Sequence, residues 1–102
     1  MKQLVQPFLD TTDATTLLSQ TADVKLIVVC NSLDEATTYS IFHPNNGADT
    51  PAKANALFYQ TALAANATEI IELPITLSHD AQVLSAQAGT ANALTITIYG
   101  ED

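Results

Sequence analysis

Leu94–Gly100 reads LTITIYG. Leu94, Ile96 and Ile98 alternate with Thr95, Thr97 and Tyr99, and Gly100 closes the run. A period of two places the three aliphatic residues on one face, the pattern of a half-buried strand. Working outward, Val24–Asn31 (VKLIVVCN) is apolar at nearly every position up to Cys30 and reads as a strand covered on both faces. Thr37–His43 (TTYSIFH) is β-branched and aromatic and stops at Pro44. Thr68–Leu73 (TEIIEL) ends at Pro74, and Gln82–Gln87 (QVLSAQ) is a shorter candidate ahead of Gly89. Gln3–Leu9 and Thr15–Gln20 add two more strands, with Asp10–Thr16 (DTTDATT) as a polar turn. Pro51–Ala67 (PAKANALFYQTALAANA) is ambiguous. Its alanines and Pro51 suit a helix, yet Asn55–Thr61 suits a strand equally well, with Ala64–Asn66 as the turn that follows it.

Seven or eight short strands at regular spacing predict an all-β fold, a sandwich or barrel. The ladder is antiparallel by default, because no gap except the alanine-rich one could hold a crossover helix. The expectation is a single antiparallel β-sandwich, jelly-roll-like, over residues 1–102. Met1–Thr16 is either an N-terminal arm used in assembly contacts or the first strand of the chain's own sheet.

The chain has 102 residues and a net charge of −8, with 47% hydrophobic and 14% charged residues. That length is one domain with one core. The only basic side chains are Lys2, Lys25 and Lys53, too few and too scattered to neutralise phosphates, so nucleic acid is not an expected partner. An anionic membrane surface would repel the chain. No apolar run approaches the roughly 18 residues of a membrane-spanning helix, and MKQLVQPFLD lacks the apolar core of a signal peptide. An ordinary domain is about 25% charged; here Thr, Asn, Ser and Gln take that share. Such a surface costs little to desolvate and suits contact with protein, although compositional drift would produce it too.

Candidate chemistry is sparse, and no catalytic, cofactor-binding or metal-binding residue is assigned. Cys30 lies in an apolar run and reads as a small core residue; Lys25, the nearest cation in sequence, is five residues away. One cysteine allows no internal disulfide. That fits a reducing compartment, or a particle assembled in one and later released. His43 before Pro44 and His79 in Ser78–His79–Asp80 lack a second ligand at metal spacing and read as exposed turn histidines. Asp10–Asp13 and Asn45–Asp49 are too thin in oxygen ligands for calcium, and Asn45–Asn46–Gly47 reads as a turn. Glu69 and Glu72, three apart in a strand, fall on opposite faces. Asn66–Ala67–Thr68 matches a glycosylation sequon by chance. The mid-chain and C-terminal aromatics Tyr39, Phe42, Phe58, Tyr59 and Tyr99 read as core and interface packing.

Taken in order, Leu17–Leu18, Ile27–Asn31 (IVVCN), Thr38–Phe42 (TYSIF), Asn45–Gly47, Asn55–Tyr59 (NALFY), Leu63–Thr68 (LAANAT), Pro74–Leu77 (PITL) and Asn92–Gly100 (NALTITIYG) resemble the small β-sandwich virion proteins of tailed bacteriophages. The resemblance covers residues 15–100 approximately, and the order of the motifs carries it. Two departures stand out. Ser78–His79–Asp80 replaces a Gly-Asp turn, and Thr21–Ala22–Asp23 replaces a Pro-x-Gly turn. The resemblance implies that Asn55–Thr61 is a strand with Leu63–Thr68 as its outgoing turn. It also implies a non-enzymatic role as a capsid decoration or a tail- or neck-associated protein. The implied partners are other virion proteins and further copies of the chain, with trimers favoured, and the implied location is the virion after assembly in the host cytoplasm. Contact segments would be Met1–Thr16, Pro44–Pro51 and Ser78–Asp80. The alternatives are a glycan-binding module of a tail fibre or spike, which needs two of Tyr39, Tyr59 and Tyr99 in one groove, and a small enzyme, which needs His43 or His79 beside a carboxylate or thiol.

Overall fold

A computed structural model describes residues 1–44, 50–78 and 82–102. The chain is an all-β sandwich of two antiparallel sheets. The strands are β1 (Lys2–Val5), β2 (Phe8–Leu9), β3 (Thr15–Leu18), β4 (Ala22–Asn31), β5 (Thr37–Phe42), β6 (Ala56–Leu63), β7 (Thr68–Leu77), β8 (Leu84–Ala88) and β9 (Leu94–Glu101). Sheet A has the order β1-β9-β4-β7, and β2 pairs with β9 beyond β1; sheet B has the order β3-β8-β5-β6. Taken together, β1 and β2 form one interrupted edge strand, which leaves four strand positions in each sheet among the described residues; successive strands change sheet except β5 and β6, which pair as a hairpin. That connectivity is a jelly roll.

The core forms where the period-two stripes of the two sheets meet. From sheet A come Val24, Ile27 and Val29 of β4 and Leu94, Ile96 and Ile98 of β9; from sheet B come Tyr39 and Ile41 of β5 and Leu84 and Ala86 of β8, all buried. Removing each large aliphatic side chain from water contributes about 1.5–3 kcal/mol. Gly100 continues β9 rather than closing it. It pairs with both Lys2 and Val24, and any Cβ there would run into Asp23 O.

The ambiguous alanine-rich segment is a strand. A 3₁₀ turn at Lys53–Asn55 leads into β6. The chain leaves β6 through a turn in which Asn66 takes φ 55°, a conformation that asparagine tolerates.

Other boundaries moved for local reasons. Gln3–Leu9 is split at Gln6–Pro7 because proline has no N–H to donate, while Ile96 N–H donates to Pro7 O across the gap. The Thr68 strand runs through Pro74 to Leu77, because β7 is an edge strand, where a missing donor is tolerated. β4 is not covered on both faces. Its inward residues are buried, but Leu26, Val28 and Cys30 on the other face remain half-exposed.

Candidate functional site: the outer face of sheet A

Cross-strand register defines this surface, because residues paired across an antiparallel ladder share a face. Four rows point away from the core, and the last, Glu101, Asp23 and Thr76 with exposed Lys25 at the bulge beside it, puts charge at one end of the face. The first is Phe8, Thr95, Cys30 and Thr68; the second is Thr97, Val28 and Ile70; the third is Gln3, Tyr99, Leu26 and Glu72. Gln6 joins the second row, its Nε2 donating to Thr97 Oγ1 at 3.0 Å. Phe8 is 50% and Ile70 64% exposed, although both are large and apolar. Glu72 is the one charged side chain in the first three rows. An exposed apolar patch rimmed by polar groups marks an interaction surface in a soluble domain.

The four sheet edges differ in protection. β7 carries Glu69, Glu72 and Pro74, while β1 and β3 are only four residues long. β6 spans eight residues with neither a charge nor a proline, so it lacks two of the usual devices that stop an edge from pairing with another chain. Its protection is an irregularity at Gln60, which has φ 48° and whose N–H donates to Ser40 Oγ. Leu57 and Tyr59 stand exposed on it. The Tyr59 ring packs edge-on to Phe42 at 6.5 Å, and Lys53 Nζ lies 5.6 Å from its centroid.

A cleft of about 220 Å³ opens on sheet B between Thr12, Thr38, Ser40, Gln60, Gln87 and Gly89. Gln87 Nε2 donates to Thr12 O at its rim. The lining has hydroxyls and amides but no carboxylate, imidazole or thiol. Its chemistry is therefore hydrogen bonding rather than proton transfer, which needs a titratable group.

The sequence-singled residues fall in separate places. Cys30 is on the outer face of sheet A rather than in the core, because Val29 and Asn31 take the inward positions. His43 follows β5 in sheet B and is half-buried rather than exposed. Its Nε2 is enclosed without a partner, and burial pushes its pKa down. His79, Asp80 and Asn45–Asp49 lie outside the described residues. Glu69 pairs with inward Val29 and Glu72 with outward Leu26, so the two carboxylates do stand on opposite faces. Tyr39 is in the core against Phe58 at 6.0 Å, Tyr59 is on the β6 edge and Tyr99 is on sheet A; no two of them share a groove. Among the described residues no three metal-ligating side chains gather, and no helix is long and apolar enough to cross a membrane. Met1–Leu9 pairs along β9 of its own sheet. At that edge Lys2 Nζ meets Asp102 at 2.6 Å, which raises the lysine pKa and lowers that of the carboxyl. Both groups are exposed, so the pair adds little stability.

Sequence reasoning missed Asn31. The residue is fully buried at the end of β4. Its Nδ2 donates to Glu35 O at 2.8 Å and Ala64 O at 3.1 Å, and its Oδ1 accepts from Leu33 N–H at 3.0 Å. Asn66 reinforces the corner, its N–H donating to Leu33 O and its Nδ2 to Asp34 Oδ1. The IVVCN and LAANAT segments are thus tied to each other. The available signal was an asparagine ending an otherwise apolar strand, since a buried amide needs partners for every donor and acceptor.

The fold and site define an antiparallel jelly roll with a sheet face that is partly apolar at its centre and an edge strand, β6, that carries neither charge nor proline. No family model, curated protein or solved structure matches the chain.

Proposed function

We propose that the chain is a structural subunit of a tailed-phage particle, a capsid decoration or tail- or neck-associated protein that works through protein–protein contact. The observation that carries this reading is the outer face of sheet A, where Phe8, Val28 and Ile70 are solvent-facing in a chain of net charge −8. Much of the acidic charge is placed elsewhere. Asp10, Asp13, Asp34, Glu35 and Asp102 all sit outside the strands and are exposed, where mutual repulsion keeps free copies soluble before assembly. Jelly rolls serve as capsid and lectin domains. Since a fold alone carries no function, the reading rests on the surface and on the order of the motifs. The β6 edge supplies a second contact by strand addition, in which backbone hydrogen bonds join two chains.

Co-sedimentation of the purified chain with intact and tailless particles tests the proposal. Binding to both indicates capsid decoration, and binding to intact particles alone indicates a tail or neck position. A chain that pellets with neither refutes the proposal.

A further inference from the structure

We infer that the outer face of sheet A is the contact between two copies of this chain, packed face to face about a two-fold axis parallel to the strands and midway between β9 and β4. The inference rests on the assembly reading above and names the partner of that face.

Area is the first argument. The molecule measures 38 × 29 × 19 Å, and the two longer dimensions bound the sheet faces. An ellipse of those axes bounds the whole face, charged rim included, at roughly 900 Å², against about 800 Å² per partner in a standard interface. Charge is the second. An identical copy also carries −8, and like charges brought together oppose association. The first three outward rows of sheet A carry Glu72 as their one charge, which is how the centre of an interface is composed, and the Glu101–Asp23–Thr76 row forms a charged rim.

Self-complementarity is the third argument. A two-fold contact joins one patch to itself. Rotation about the stated axis lays β9 over β4 of the second copy and β7 over β1 of the second copy. Tyr99 then covers Leu26 of the second copy, and Thr95 covers Cys30. Glu72, the one carboxylate in the first three rows, comes opposite Gln3, whose amide N–H can donate to it; at the rim Glu101, paired with the Met1 ammonium, comes opposite Asp23 of the second copy. A closed ring of three would require this patch to meet a different one, and the outer face of sheet B instead carries the hydroxyl- and amide-lined cleft.

Sedimentation equilibrium of the whole chain should report twice the 10.8 kDa of a single copy. Ile70→Glu alters a side chain that is 64% exposed in the single copy, so the fold should persist. The dissociation constant should rise about 100-fold or more, as expected for an unpaired charge forced into an interface. Val28→Glu, at the centre of the face, should do the same. Labelling of Cys30 by a thiol reagent should slow as the wild-type concentration rises, and should not do so in Ile70→Glu. A monomer at about 100 µM chain, where a standard interface is formed, a trimer, or a dimer that survives both substitutions would overturn the inference. A dimer that binds no particle refutes the assembly role and leaves the two-fold contact standing; a monomer that binds particles does the reverse.

Discussion

Asn31→Ala removes the amide that ties the β4–β5 loop to the β6–β7 turn. Three hydrogen bonds disappear, leaving Leu33 N–H, Glu35 O and Ala64 O to find other partners at a corner where Asn31 itself is fully buried. Each such bond is worth about 0.5–1.5 kcal/mol net, and an orphaned buried group costs more. The expected loss is therefore about 3 kcal/mol. For a domain of this size that lowers Tm by about 12–20 °C. Urea denaturation followed by far-ultraviolet circular dichroism measures it, and an unchanged m-value would place the effect in the native state.

Asn31→Asp sharpens the test because it keeps the shape. The side chain can still accept from Leu33 N–H, but a carboxylate oxygen now faces the carbonyls of Glu35 and Ala64 where an NH₂ donated. Burial and those carbonyls both favour the protonated acid, so its folded pKa rises above the unfolded value of about 3.9. The folded state then holds the extra proton, and this variant loses stability as pH rises from the unfolded pKa through the folded one. Wild type lacks the group. An Asn31→Asp protein as stable as wild type at pH 7, or an Asn31→Ala loss below about 0.5 kcal/mol, the range of ordinary surface changes, would refute the claim that this amide holds the corner.

Three other outcomes are expected. Gly100→Ala forces a methyl into Asp23 O between two paired strands, so calorimetry should show a loss of about 1–3 kcal/mol, typical of overpacking. The Tyr39 hydroxyl is buried without a partner and burial pushes its pKa up; Tyr39→Phe should be neutral or stabilising, by about 1 kcal/mol or so. The same substitution should remove the stability that wild type loses as pH rises above the unfolded value of about 10, where only the unfolded tyrosine has ionised. His43 has the opposite sense. Burial lowers its pKa, so the unfolded chain binds a proton first as pH falls below about 6.5, and stability drops until the folded histidine titrates. In His43→Gln that component of the pH–Tm curve should be absent.

The fold was legible where backbone chemistry is local. The alternation of Leu94–Tyr99 is enough to orient β9, and Asn-containing turns punctuate the strands because asparagine accepts positive φ at Asn66 and Asn92. Pro51–Ala67 was not legible from propensity. Alanine favours helix by a few tenths of a kcal/mol per residue, while pairing along β5 and the burial of Leu63 outweigh that preference. Pro74 misled because its cost depends on whether the strand has a neighbour on that side, which is a property of the whole sheet. The corner around Asn31 was out of reach for a related reason: its acceptors are 4 and 33 residues away in sequence. The candidate face was half legible. Its residues were visible as an apolar run, but their partners across β7 and β9 were not.

That run contains one informative mismatch. Val24–Cys30 reads as a strand buried on both faces, and a single copy buries only one, leaving Leu26, Val28 and Cys30 half-exposed. Strands that face solvent on one side alternate apolar with polar residues, as β9 does with Thr95 and Thr97. β4 departs from that rule in the middle of a sheet, where no edge effect excuses it. Selection for folding alone gives no reason to keep Val28 and Leu26 aliphatic there, since threonine would form the same ladder at lower risk of aggregation. A second copy laid over the face removes the discrepancy: β4 then lies between its own core and the strands of its partner, the environment its composition specifies. Replacing both residues by threonine should accordingly leave the melting temperature of a dilute monomer close to wild type while abolishing the dimer. A large stability loss in the monomer would mean instead that these side chains serve the fold and that the mismatch carries no information about a partner.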